Sequence, residues 1–180
     1  MKAYLFLATG FEETEAIATI DILRRGGVEV KTVSITGDYM VMGAHGIPVT
    51  TDRLFEATKY DDGEAFILPG GGPGSVMLNG HQALKQLLVE KNTQGKWIAA
   101  ICAAPMVLGG LGLLKGKKAV CFPGMESYLT DATLTDEPVV IDANIITGKG
   151  PGLVFHFGLT LLAAFKGQEV ADRIAGDMLL

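Results

Sequence analysis

The 180-residue sequence has few cysteines, little positive charge and no long hydrophobic run. Cys102 and Cys121 are too few for a disulfide framework, so we expect a reducing, cytoplasmic environment. Fifteen basic against twenty acidic residues leave a net charge of -5, which argues against nucleic acid as a primary partner. The opening stretch MKAYLFLATGFEE is apolar for about six residues before acidic residues interrupt it, so it predicts neither a targeting segment nor a membrane span.

Several catalytic and cofactor motifs are also absent. The chain contains no Walker A, Cys-x-x-Cys, His-Glu-x-x-His or Gly-x-Ser-x-Gly motif. The stretch GGGPGSV (70–76) lacks the spacing and the distant acid of a dinucleotide site. His45, His81 and His156 do not have the spacing of metal ligands. We therefore expect neither a cofactor nor a metal.

What the chain does contain is an alternation of short apolar runs and amphipathic stretches. Its length and its 48% hydrophobic content predict one globular domain, residues 1–180. A hairpin is expected around 43–48 and a last helical region after 150–152. Strands are predicted over 2–8, 28–35, 64–72, 96–101, 118–121, 139–142 and 145–147, and helices over 12–25, 81–93 and 103–112. This order predicts an α/β fold with a mostly parallel sheet covered on both faces.

Ligands of such sheets bind at the carboxyl ends of the strands. Four segments point to that rim: ATGFEETE, LPGGGPGS, AICAAP and TGKGPG. Cys102 lies in the third, where a strand meets a helix. Free cysteine is often only a small core residue. The alternative is a reactive thiol, which helix-end amides would make partly ionised near neutral pH.

The surroundings of Cys102 favour the reactive alternative. The small Ala103 leaves room for a substrate, and the geometry resembles the strained nucleophile elbow of hydrolases. Backbone amides of Gly70, Gly71 and Ala103 could bind a developing oxyanion.

Glu15 has two alternatives. It either lies on the surface at a helix N-terminus, or it points inward with Ala16, Thr19 and Leu23, where it would need a polar partner such as the thiol. Cys121 and His156 are expected to pack inside the protein.

The segments LATGFEETEA, ILPGGGPG, AAICAAP and TGKGPGLVFHF resemble the signature segments of the ThiJ/PfpI family, in order and over essentially the whole chain. The closest resemblance is to the branch that includes the parkinsonism-associated deglycase, within the class I glutamine amidotransferase-like superfamily. It implies a flavodoxin-like three-layer sandwich and a homodimer. It also implies Cys102 as the reactive cysteine, Glu15 as its hydrogen-bonding acid, Gly71 and Ala103 as backbone donors, and the Gly150-Pro151 turn near the thiol.

The sequence departs from other branches of that family at four positions. The protease-like branch has a histidine where this chain has Ala103, and the glutaminase relatives have a His-x-Glu where His156 is followed by Phe157 and Gly158. A histidine-dependent peptidase or glutaminase is therefore disfavoured. Phe122 replaces the histidine of some members, and His45 replaces an arginine near the dimer interface of close relatives.

Two function classes follow from these residues. The first is a cysteine-dependent, cofactor-independent glyoxalase or deglycase-like hydrolase, acting on methylglyoxal-type α-oxoaldehydes or their early adducts. The second is a redox-responsive or chaperone-like stress protein in which Cys102 is oxidised to sulfinate and Glu15 holds the product.

Overall fold

The computed structural model describes residues 1–180 and contains eleven strands and six α-helices. The strands are β1 Lys2–Leu7, β2 Glu29–Ser34, β3 Met40–Met42, β4 Pro48–Thr50, β5 Arg53–Leu54, β6 Ala65–Leu68, β7 Trp97–Ile101, β8 Lys118–Ala119, β9 Thr133–Leu134, β10 Val139–Asp142 and β11 Ile145–Gly148. The helices are α1 Glu13–Arg25, α2 Gly72–Gly80, α3 Gln82–Thr93, α4 Pro105–Gly110, α5 Val154–Lys166 and α6 Gln168–Asp177.

Seven of the strands form one sheet in the order β10-β11-β7-β6-β1-β2-β5. Every neighbouring pair is parallel except β10 with β11 at one edge. Helices cover both faces, which confirms the expected flavodoxin-like three-layer α/β sandwich. Strands β3 and β4 form the expected hairpin, and β8 pairs with β9 outside the main sheet.

The central strands are buried on both faces, which explains why they read as continuous apolar runs. In β1, Leu5 and Leu7 belong to the core that also contains α1, α5 and α6 residues. Tyr4 and Phe6 belong to the opposite core, which contains α3 and α4 residues. The period of two thus places alternate side chains of one strand in two separate cores.

The prediction differs from the structure mainly around residues 68–80. The strand predicted over 64–72 ends at Leu68, and the glycine-rich stretch after it, for which no helix was predicted, continues into α2. A Cβ at Gly74 would lie 2.8 Å from the backbone nitrogen of Phe11, so α2 packs here closer than a side chain would permit. Helix α4 begins at Pro105, not at residue 103, and the last helical region is two helices separated by Gly167.

Hydrogen bonds join the loops at the carboxyl ends of the strands. The N–H of Gly10 donates to the carbonyl of Met42 at 2.8 Å, and that of Glu12 to the carbonyl of Gly70 at 2.9 Å. These contacts place the loops after β1 and β6 together at one rim. None of the helices is both long and apolar enough to cross a membrane.

Candidate active site

Cys102 is held in a strained turn directly after β7. Its φ is +65°, a left-handed conformation that residues other than glycine rarely adopt. Its N–H donates to the carbonyl of Gly148 at 2.9 Å, and its own carbonyl accepts the N–H of Phe122 at 2.8 Å. Such a conformation costs about 1–3 kcal/mol and persists only where the surrounding structure enforces it. The turn thus has the strain expected of a nucleophile elbow.

Glu15 points inward from the first turn of α1 and is fully buried at 0% exposure. Its Oε2 accepts the N–H of Gly70 at 2.7 Å. Its Oε1 accepts no hydrogen bond from an N–H or O–H group. The carboxyl and the Cys102 side chain both lie against Gly70, and the carboxyl charge acts on the pKa of the thiol. The structure therefore brings Glu15 and Cys102 together, the inward alternative of the two considered from sequence.

The three expected backbone donors have different roles. The backbone amides of Gly71 and Ala103 act on the Cys102 thiol and lower its pKa. That of Gly70 is already donated to Glu15, so the prediction that Gly70 binds a developing oxyanion is wrong. Gly70 instead anchors the carboxyl beside the thiol.

Burial dominates the electrostatics of the pair. It raises the pKa of Glu15 to about 7, against the opposing effect of its hydrogen bonds from Cys102 and Gly70. Burial, followed by the Glu15 charge, raises the pKa of the Cys102 thiol to about 12. The amides of Gly71 and Ala103 act in the opposite direction but do not prevail. The expectation that helix-end amides alone make the thiol acidic is therefore wrong while Glu15 is ionised.

Phe122, Gly150 and Pro151 form one side of the site. A Cβ placed on Gly150 would lie 3.2 Å from Cδ2 of Phe122, so the aromatic ring rests against the Gly150 backbone. Pro151 begins a single 3₁₀ turn, residues 151–153, that leads into α5. Phe122 remains 45% exposed although it is a large apolar side chain. The Gly150-Pro151 turn thus lies on the same rim as the thiol.

Glu13 is a second buried carboxylate whose role the sequence did not reveal. Its Oε1 accepts the N–H of His45 at 2.7 Å, and its Oε2 lies 2.8 Å from the His45 ring Nδ1. Burial acts to raise the pKa of Glu13, but the hydrogen bonds from His45 and from the N–H of Ile47 outweigh it and lower that pKa. Glu13 thereby fastens the β3–β4 loop to α1. The only sequence signal for this role of Glu13 is the run of acidic residues in FEETE.

Glu12, Glu13 and His45 are the one group whose potential metal-ligand atoms all lie within 4.8 Å of one another. The atoms of Glu13 and His45 in this group are already hydrogen-bonded to each other. This hydrogen bond accounts for the close approach of these side chains, which anchor the β3–β4 loop, and no cation is needed to explain it.

The remaining candidates lie apart from the thiol chemistry. Cys121 is buried, as expected, and burial raises the pKa of its thiol to about 11. The Nδ1 of His81 accepts the N–H of Leu84 at 3.1 Å and caps α3. His156 is exposed, so the prediction that it packs inside is wrong. Val154 and Phe157 supply the buried face of that helix instead.

The site at Cys102 is shallow. The depressions of about 300 to 520 Å³ on the surface are lined by other residues, not by Cys102 or Glu15. The thiol residue is 9% exposed. This arrangement suits a small electrophile that approaches the sulfur directly.

Comparison with known proteins identifies the family. Residues 1–164 match the model of the DJ-1/PfpI family. The chain belongs to the DJ-1/PfpI family. Over 99% of its length it is 36% identical to the protein DJ-1 homolog B of Arabidopsis thaliana, and it spans only 41% of that longer protein.

Two further relatives match most of the chain. A protein of Pyrococcus abyssi named as a deglycase is 31% identical over 84% of this chain and 92% of its own length. A crystal structure of a cysteine-to-alanine mutant of a DJ-1 superfamily protein from Salmonella typhimurium superposes with a TM-score of 0.95 at 37% identity. That match covers 99% of this chain and 97% of the Salmonella chain.

Proposed function

We propose that this protein is a cysteine-dependent hydrolase of the glyoxalase or deglycase type, acting on methylglyoxal-type α-oxoaldehydes or their early adducts on thiols and amines. The carrying observation is the buried Glu15 carboxyl beside the strained Cys102. Membership of the DJ-1/PfpI family and the deglycase name of the Pyrococcus relative support the same class.

The chemistry requires a thiolate beside a protonated carboxyl, and the contacts favour that state. The amides of Gly71 and Ala103 favour the ionised sulfur, and Cys102 is 9% exposed. The Glu15 carboxyl has one N–H donor, from Gly70, and is fully buried. When the pair holds a single proton, the negative charge is better solvated on the sulfur, and the proton on Glu15 is donated to it.

The reaction balances with water as the only co-reactant. The Cys102 thiolate attacks the aldehyde carbon of R–CO–CHO, and the resulting oxyanion takes the proton of Glu15 to form a hemithioacetal. Glu15 then removes the proton from that carbon and the neighbouring carbonyl carbon gains one, which gives the thioester R–CHOH–CO–S–Cys102. The aldehyde carbon is thereby oxidised and the ketone carbon reduced. Water hydrolyses the thioester and releases a 2-hydroxy acid and the thiol.

The N–H groups of Gly71 and Ala103 are the proposed source of electrostatic stabilisation for the negative charge that develops in the reaction. Both lower the pKa of the Cys102 thiol in the resting site. The oxyanion forms on the oxygen of the attacked carbon, two bonds from the sulfur, and these N–H groups are the proposed donors to it.

The test is lactate formation from methylglyoxal by the purified protein. We expect turnover by the wild type and none above the uncatalysed rate by Cys102→Ala. Cys121→Ala is the matched control, because it removes the other thiol, and it should retain the wild-type rate. Equal rates for wild type and Cys102→Ala would refute the proposal.

The redox function from the sequence analysis has one observation in its favour. A protonated Glu15 together with the N–H groups of Gly71 and Ala103 supplies donors for the oxygens of a sulfinate on Cys102. Peroxide treatment that yields stable Cys102 sulfinate, in a protein without turnover of methylglyoxal, would favour this second candidate.

A further inference from the structure

Phe122 occupies an unusual position for a large apolar side chain. It is nearly half exposed, yet its backbone is fixed by the hydrogen bond from its N–H to the Cys102 carbonyl at 2.8 Å. Its ring rests against Gly150, and the N–H of Met125 closes a turn onto its carbonyl at 3.0 Å. The ring is therefore held rigidly at the rim that carries the nucleophile.

The charges around this rim disfavour an anionic substrate. Lys149, the basic residue beside Gly150, is paired with Asp136. Glu126 lies on the same loop as Phe122, where its carboxylate accepts the N–H of Gly124 at 2.8 Å and its charge helps to raise the pKa of the Cys121 thiol. In the proposed reactive state Glu15 is protonated, and the negative charge of the pair lies on the Cys102 sulfur. The rim thus combines an unpaired apolar ring with acidic groups and a neutralised lysine.

We propose that Phe122 is the specificity-determining residue of the site and selects neutral α-oxoaldehydes whose substituent R is aromatic or bulky and apolar. This inference rests on the proposed function for the chemistry at Cys102. An aromatic R group stacks on the exposed face of the Phe122 ring while its aldehyde carbon meets the sulfur. Because none of the larger depressions includes Cys102, the exposed Phe122 ring on the same rim offers R an apolar surface.

Steady-state kinetics with three substrates test the selection. We expect kcat/KM for phenylglyoxal to exceed that for methylglyoxal by about three- to tenfold, the size of one aromatic contact. 4-Carboxyphenylglyoxal, an α-oxoaldehyde that carries a carboxylate on its aromatic R group, should be a poorer substrate than phenylglyoxal. Phe122→Ala should abolish most of the preference for phenylglyoxal, whereas Phe122→Leu should retain part of it.

Tyr128→Ala is the matched control. Tyr128 is an equally exposed aromatic residue, 48% against 45%, on the same loop but past the turn that holds Phe122. Its replacement should leave the substrate ratio unchanged. A ratio near one in the wild type, or an equal loss in both variants, would overturn the role of Phe122.

A second readout separates this inference from the enzymatic proposal. N-phenylmaleimide and N-methylmaleimide alkylate thiols without turnover, and peptide mass spectrometry reports modification at Cys102. We expect a faster reaction with the phenyl reagent in the wild type and in Tyr128→Ala, and a loss of that advantage in Phe122→Ala. If this pattern holds in a protein that turns over neither oxoaldehyde, the apolar recognition stands and the hydrolase function fails. If turnover occurs without this pattern, the hydrolase stands and the recognition fails.

Discussion

Glu15 and Cys102 meet across Gly70, and there is no room for a side chain between them. A Cβ at Gly70 would lie 2.5 Å from Oε2 of Glu15 and 2.6 Å from Cβ of Cys102. The same glycine donates its N–H to Glu15. The carboxyl and the thiol are thus neighbours because residue 70 lacks a side chain.

This contact predicts the effect of Gly70→Ala. The added methyl group must displace Glu15 or Cys102, so we expect kcat/KM for methylglyoxal to fall at least a hundredfold and stability to fall by about 1–3 kcal/mol. Gly72→Ala is the control, since a Cβ there meets nothing within 4 Å. Activity of Gly70→Ala within threefold of the Gly72→Ala variant would contradict the role of the close approach.

The shared proton predicts the pH dependence of Cys102 alkylation. Burial raises the pKa of Glu15 to about 7, and in a coupled pair the first ionisation belongs to both groups. With the remaining proton on Glu15, as proposed above, that ionisation produces the Cys102 thiolate. We expect iodoacetamide to react with wild-type Cys102 with a midpoint near 7, below the 8.5 or so of a free thiol, and well before Cys121.

Two substitutions of Glu15 separate hydrogen bonding from charge. Glu15→Gln keeps a donor towards the sulfur and an acceptor for the N–H of Gly70, so its alkylation profile should stay near that of the wild type. It should lose turnover, because an amide cannot transfer the proton. Glu15→Leu removes the donor and leaves burial, which raises the thiol pKa, so its midpoint should move up by about one unit or more. An unchanged profile in Glu15→Leu would refute the coupling.

The sequence predicts the sheet and the pairing of Glu15 with Cys102 because both follow from local patterns. A continuous apolar run such as KAYLFL is typical of a strand that is buried on both faces of a sheet. An acidic side chain on the apolar face of a helix is buried, so it needs a polar partner. Helix α2 escaped prediction because GPGSVMLNG has turn chemistry, and its helical state depends on packing against residue 11, which is distant in sequence.

The electrostatics of the site were harder to predict for a related reason. The amides at the end of a helix are visible in the sequence, but the depth of burial that opposes them is a property of the whole fold. The contact between Glu13 and His45 likewise joins residues 32 positions apart. No local pattern distinguishes that buried carboxylate from an acid that merely faces solvent at a helix N-terminus.

The Glu13–His45 contact predicts a pH-dependent contribution to stability. Because the pKa of Glu13 is lowered in the folded state, its contribution is present above its unfolded value, 4.5, and lost as the pH falls through the lowered pKa. Because the pKa of His45 is raised, its part is present below 6.5 and lost as the pH rises through the raised pKa. The full effect therefore lies between these two values.

Glu13→Gln should be less stable than the wild type by about 1–2 kcal/mol near pH 5.5, where a charged acceptor of several N–H groups is lost. The difference should shrink towards pH 9 and vanish at strongly acid pH. Thermal unfolding from pH 3 to 9 measures it, with Glu12→Gln as the control. A difference that is constant with pH would show that shape, not charge, anchors the loop.

Neither Cys121 nor His156 is expected to take part in the chemistry. His156 is exposed, so His156→Asn should leave both stability and rate unchanged. Cys121 is buried, so Cys121→Ser should lose about 1–3 kcal/mol of stability by burying a hydroxyl, while the folded fraction keeps its rate. A folded His156→Asn protein with a hundredfold loss of activity would revive a histidine-dependent triad.

Assembly as a homodimer is a proposal that the exposed apolar side chains of α1 and the β3–β4 hairpin support. Ile17, Met40 and Ile47 are 46%, 58% and 56% exposed and lie on the segments expected at a two-fold contact. Sedimentation at micromolar concentration should give a particle of twice 19.0 kDa. Ile47→Glu should shift it to the monomer without unfolding it, whereas Val89→Glu, which places the same charge at a 40% exposed position on α3, should not. A wild-type particle of 19.0 kDa would refute the dimer.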